Sequence, residues 1–153
     1  MARLNQMDPE SAKHLAELPC PTFETRPFVS GPPLARRKVA LISTAGLHLQ
    51  GHTPFGLGAA DYRVIPGGSQ ARELVMSHIS TNYDRTGYLQ DLNVVFPLDR
   101  LRELQEEGLI DSLADFHYSF MGATDPQQME QGARELAGVM KSEGVGAVLL
   151  VPV

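Results

Sequence analysis

Val39-Ala40-Leu41-Ile42-Ser43 decides the fold. The first four residues are apolar without interruption, the mark of a strand covered on both faces, and such strands belong mainly to parallel sheets layered between helices. A second run of this kind, Ala147-Val148-Leu149-Leu150-Val151, stands near the other end of the sequence. It holds neither the charge nor the proline that blunts a sheet edge, so it is expected to be an interior strand as well, the alternative being an edge strand that finishes a small domain.

The residues between these runs alternate in period. Tyr62 to Ile65 and Glu73 to His78 are predicted as short strands around the turn Pro66-Gly67-Gly68-Ser69, and Asn93-Val94-Val95 as another. A helix follows, with Pro97 in its first turn, Leu98, Leu101 and Leu104 inward, Arg100/Glu103 and Arg102/Glu106 paired outside, and Gly108 as its stop. Phe116, Tyr118 and Phe120 alternate with His117, Ser119 and Met121, a period of two that predicts a strand. Thr124 and Gln127 match a capping box, and Met129, Ala133, Leu136 and Met140 recur at helical spacing up to Gly144. Strand, helix, strand, helix, strand predicts an α/β chain, Rossmann-like and three-layered, with a mostly parallel sheet.

That domain is expected over 38–153, as the N-terminal part of a longer one. Residues 1–37 form a separate piece: a short amphipathic helix from Asp8 to Leu18, then an arm carrying Pro19, Pro21, Pro27, Pro32 and Pro33, which cannot join a central strand.

Net charge is −5, yet residues 1–38 carry six Lys/Arg against four Asp/Glu, which leaves −7 on the remainder. An acidic body argues against a nucleic-acid or anionic-membrane partner. Arg36-Arg37-Lys38 is too short for a basic patch and reads as a solvated lead-in to the strand. The lone thiol, Cys20, forms no intramolecular disulfide. The first residues lack an apolar leader, and no run approaches the roughly 18 apolar residues of a membrane span, so a cytoplasmic protein is expected.

In open α/β sheets the reacting groups gather beyond the carboxyl ends of the strands. Thr44 to Ala60, with Gly46, Gly51, Gly56 and Gly58, is a long loop at such a position. Its start, Ser43-Thr44-Ala45-Gly46, is a candidate small-anion cradle through backbone N–H groups. His48 belongs to the same loop; with His52 it has the spacing of two metal ligands on a helix, but the glycine-rich setting argues against zinc. His78 and His117 fall at or near predicted strands, where each is either a proton carrier assisting catalysis or a hydrogen-bonded core histidine. Tyr83, Asp84 and Arg85 lie in a polar segment, Ser80 to Gln90, that either covers the crevice or is a solvated loop. Gly56-Leu57-Gly58-Ala59-Ala60-Asp61 lacks the third glycine of a dinucleotide fingerprint, which discounts a nicotinamide cofactor. Ser43, Thr44, Gly46, His48, Tyr83 and Asp84 are therefore the substrate-binding candidates, and no metal is expected.

From Lys38 onward the chain resembles the selenoprotein B subunit of the glycine/sarcosine/betaine reductases, a family related to the selenocysteine subunit of D-proline reductase. The resemblance is carried by Val39-Ala-Leu-Ile-Ser-Thr-Ala-Gly-Leu-His48, Tyr62-Arg-Val-Ile-Pro66, Val75-Met-Ser-His78 with Tyr83-Asp84, Val94-Val-Phe-Pro-Leu-Asp-Arg-Leu101, His117-Tyr-Ser-Phe-Met-Gly122 and Ala147-Val-Leu-Leu-Val-Pro152. In that family the closing strand runs into a selenocysteine or cysteine. The resemblance implies that this residue comes just after Val153, that the chain is truncated before it, and that the chain as it stands is inactive. It also implies reductive C–N cleavage, selenocysteine and a partner's pyruvoyl group as cofactors, and a small selenoprotein carrier as a second partner. An apolar strand left without a crossover helix further predicts a homo-oligomer. The alternative is a noncatalytic small-anion-binding or assembly module of the same fold.

Overall fold

The computed structural model describes residues 3–18, 22, 24, 26–81 and 83–153. Cys20 and the prolines beside it lie outside the described residues. The N-terminal helix is α1, Pro9–Ala16, opened by Asp8, whose carboxylate accepts the Ser11 N–H at 2.9 Å. No helix among the described residues is long and apolar enough to cross a membrane.

The first apolar run forms β1, Lys38–Ser43. It is followed by β2, Leu47–Leu49, β3, Arg63–Pro66, β4, Leu74–Met76, and the one-turn helix α2, Thr86–Gln90. Then come α3, Leu98–Glu106, β5, Ser112–Leu113, β6, Phe116–Ser119, α4, Pro126–Ser142, and β7, Val145–Val151.

The sheet is built on β1. β7 pairs with it in parallel along its whole length, from Lys38↔Val145 to Ser43↔Val151. β5 and β6 therefore share the other flank, β5 beside Lys38 and Val39 and β6 beside Ile42 and Ser43, both parallel. β3 closes the far side antiparallel to β6, and β2 with β4 forms a separate antiparallel pair. The sheet is thus mixed, and the expected Rossmann-like, mostly parallel arrangement is not confirmed.

Both faces of β1 are covered, as its composition requires. Ala40 packs with Tyr118, Phe120 and, from α4, Leu136 and Met140. Val39 and Leu41 pack against Phe96, Leu98, Leu101 and Ile110, joined by Leu47 and Leu74 of the β2–β4 pair.

Four local expectations are corrected. β7 is a margin strand: among the described residues it pairs only with β1, and Val148 and Leu150 are 38% and 63% exposed. Asn93 to Val95 is no strand, because Leu92–Val94 coils into a 3-10 turn fixed by the Asp91 carboxylate accepting the Asn93 N–H at 2.9 Å. Arg102 pairs with Asp99 at 2.6 Å rather than with Glu106, since its guanidinium also reaches back to the Gly67 and Ser69 carbonyls. Asp125, not Thr124, caps α4 by accepting the Gln127 N–H; the Thr124 hydroxyl donates to the Ala59 carbonyl at 2.8 Å instead.

Candidate active-site crevice

Beyond Ser43 the chain leaves the sheet in a turn whose N–H groups are all taken. Thr44 N–H donates to the Val151 carbonyl at 3.1 Å, Gly46 N–H to that of Phe120 at 2.9 Å, Ala45 N–H to Ser43 Oγ at 3.1 Å and Leu47 N–H to Ser119 Oγ at 2.8 Å. Four donors aimed at the protein's own acceptors leave none of residues 44–47 turned toward an anion. Gly46 has φ +66°, and a Cβ there would lie 3.1 Å from the His78 backbone, so the position combines left-handed backbone with close approach.

The Thr44 side chain reaches the end of β7. Its Oγ1 accepts the Val153 N–H at 2.8 Å and donates to the Val153 carbonyl at 3.2 Å. The Thr44 carbonyl accepts the Gly122 N–H at 2.8 Å, and a Cβ on Gly122 would stand 2.5 Å from the Val153 carbonyl oxygen. The exits of β1, β6 and β7 are pinned together here.

Pro152 and Val153 then form one wall of a cavity of about 540 Å³. Tyr83, Asp84, Gly87 and Tyr88 also line it, with Val94 and Val95. Leu4, Met7 and Leu15 flank it from the N-terminal segment. Two sequence candidates, Tyr83 and Asp84, thus meet the end of β7.

Asp84 is exposed, and the Thr86 N–H donated to its carboxylate at 2.9 Å holds its pKa below the usual carboxylate value. Burial raises the Tyr83 hydroxyl pKa. Arg85 ties this loop down: its guanidinium donates to the carbonyls of His78 at 2.6 Å, Ser80 at 3.0 Å and Tyr83 at 3.2 Å.

His78 stands behind Tyr83, ring centroids 5.0 Å apart. Its Nδ1 accepts the Ser80 N–H at 3.2 Å, which puts the proton of the neutral ring on Nε2. Nε2 is buried and has no partner among the described residues. Burial, and then the Arg85 charge, lower its pKa, so the ring is neutral at pH 7.

The remaining candidates lie elsewhere. His117 is fully buried on β6, does not line the cavity, and accepts the Leu41 N–H on Nδ1 at 3.1 Å. Burial and then the Arg102 charge lower its pKa to about 4. His48 is buried on β2 rather than in a loop, its Nδ1 2.9 Å from the Leu49 carbonyl oxygen. Ser43 spends its hydroxyl on Ala45. No three His, Cys, Asp or Glu side chains cluster for a metal among the described residues. Sequence reasoning missed Gly122, Gly87, Tyr88 and the N-terminal apolar residues. Only Gly122 had a signal, a glycine directly after an alternating strand.

The family model for glycine/sarcosine/betaine reductase selenoprotein B matches residues 10–153. D-proline reductase subunit gamma of Acetoanaerobium sticklandii is 39% identical over 115 residues, 73% of this chain and 47% of that protein. Glycine reductase complex component B subunit gamma of Symbiobacterium thermophilum is 30% identical over 145 residues, 90% of this chain and 33% of that protein. Sarcosine reductase complex component B subunit beta of Peptoclostridium acidaminophilum is 29% identical over 144 residues, again 90% and 33%. The chain therefore spans between a third and a half of the length of these curated relatives. No solved structure matches it.

Proposed function

Because the chain belongs to the glycine/sarcosine/betaine reductase selenoprotein B family, we propose that it is the N-terminal part of a cytoplasmic reductase subunit acting in reductive C–N cleavage of glycine, sarcosine, betaine, proline or a related amine. The reactive selenocysteine or cysteine follows Val153, and the chain without it is inactive. One observation carries this reading: Pro152 and Val153 line the same cavity as Tyr83 and Asp84, so the next residue emerges beside a largely apolar space. The ionised chalcogen is the nucleophile, and apolar surroundings alone raise its pKa, so this space shapes access to the reacting atom rather than ionising it. The names of the relatives support a role within a multi-subunit reductase.

In this reading the cleavage consumes two electrons, delivered by a thiol donor through a small selenoprotein carrier. A partner subunit bearing a pyruvoyl group holds the amine. The codons after Val153 test the reading: a UGA or cysteine codon with an open frame encoding a second nearby cysteine is expected. Any other stop codon, or no such cysteine in frame, defeats it.

An assembly role has its own support. α4 leaves an apolar cavity of about 440 Å³ lined by Phe120, Met129, Ala133 and Ala137, on a protein whose β7 also exposes Leu150. In this second reading another copy of the chain packs on the exposed apolar residues of β7. Light scattering is expected to give a dimer or larger species for the 153-residue chain, lost in Leu150→Glu; a monomer at all concentrations removes the assembly reading.

A further inference from the structure

The hydroxyl of Thr44 is bonded twice to one residue just past the far strand, accepting from Val153 N and donating to Val153 O, at 2.8 and 3.2 Å. A threonine just past a strand end ordinarily satisfies its own local turn. Here the partner is 109 residues away, and the neighbouring N–H, that of Thr44 itself, holds the Val151 carbonyl. Val151 and Val153 are therefore both fastened to Thr44, on either side of Pro152, whose ring fixes its own φ. Gly122 completes the device from β6: its N–H donates to the Thr44 carbonyl, and its missing side chain leaves the space that the Val153 carbonyl occupies.

We infer that Thr44 is a positioning residue, which with Gly122 sets the direction in which the backbone leaves Val153 and so aims the following residue into the cavity bounded by Tyr83 and Tyr88. The inference rests on the proposed function and extends it by assigning the geometry of the nucleophile to β1 and β6 rather than to the loop that carries it. A nucleophile on a loop loses rate steeply when displaced, about 10²-fold for a shift near 1 Å. The hydroxyl of a threonine directly after β1 supplies the fixed point.

The test uses the longer polypeptide, read through the codon after Val153 with cysteine at that position, assembled with its partner subunits. Thr44→Val keeps the shape and removes both hydrogen bonds. It is expected to lower kcat about 10- to 100-fold with KM little changed. It is also expected to move the pH profile of iodoacetamide alkylation of the new cysteine, while Thr44→Ser retains both properties within about threefold. Thr44→Ala serves in the same way if Thr44→Val does not fold. An unchanged kcat and alkylation profile in a folded Thr44→Val or Thr44→Ala overturns the inference and leaves the proposed function standing. A gene without a reactive residue after Val153 overturns both.

Discussion

Lowering the pH from 7 to 4 is expected to strip about 3 kcal/mol from the stability of this chain through His117 alone, and His117→Asn is expected to abolish that part of the loss. The ring is fully buried and its folded pKa is about 4, against 6.5 for an exposed imidazole. Between these two values the unfolded chain binds a proton that the folded chain refuses, so stability rises with pH across the window. The contribution is complete above pH 6.5 and is lost as pH falls toward 4. Protonation is costly for a specific reason: Nδ1 accepts the Leu41 N–H at 3.1 Å, and a proton there sets donor against donor inside the sheet. Asparagine places an amide oxygen where Nδ1 stood and cannot be charged. Its stability curve by urea denaturation should therefore be flatter between pH 7 and 4, even if its stability at pH 7 is lower. His78, whose pKa is also lowered by burial, retains a slope of the same sign in the variant. Parallel curves for the two proteins would show that His117 is not what the acid attacks.

The same residue explains how β1 is paired. β5 ends at Leu113 and β6 begins at Phe116, so the strand beside β1 is interrupted and the Leu41 N–H loses its carbonyl partner. The imidazole of His117 fills that gap. The period of two across Phe116 to Met121 made this strand legible, as uninterrupted apolarity did for β1 and helical spacing for α3 and α4. Nothing in spacing announces that one side chain completes another strand's ladder, because that pairing exists only in the assembled sheet.

The misreadings have equally local causes. Asn93-Val94-Val95 has strand composition, but Asp91 and Asn93 bond each other and Asn93 bonds Asp99, and such short polar side chains favour turns over ladders. The apolarity of β7 matched an interior strand while its position is marginal, so composition described the cover this strand calls for rather than the cover it has. At the crevice, Tyr83 and Asp84 stood out as functional side chains in a polar segment. Thr44 was singled out for its backbone N–H, whereas its hydroxyl is what reaches the end of β7.

Gly122→Ala is expected to destabilise the chain by about 2–3 kcal/mol, the upper part of the range for forcing a methyl group into packed surroundings. The size follows from what the methyl meets. Its carbon would stand 2.5 Å from the Val153 carbonyl oxygen and 2.9 Å from that of Thr44, both backbone atoms with no rotamer by which to retreat. Relief requires β6 to withdraw from β1, which breaks the Gly122 N–H bond to Thr44, or Val153 to swing away, which breaks its two bonds to the Thr44 hydroxyl. Gly138→Ala is the matched control, since a Cβ there meets nothing within 4 Å on the helix α4 and should stabilise by up to about 1 kcal/mol through helix propensity. The denaturant midpoint should fall for the first variant and rise for the second, with slopes unchanged. Equal midpoints for Gly122→Ala and the parent chain would mean that the end of β7 is not held against the turn after β6.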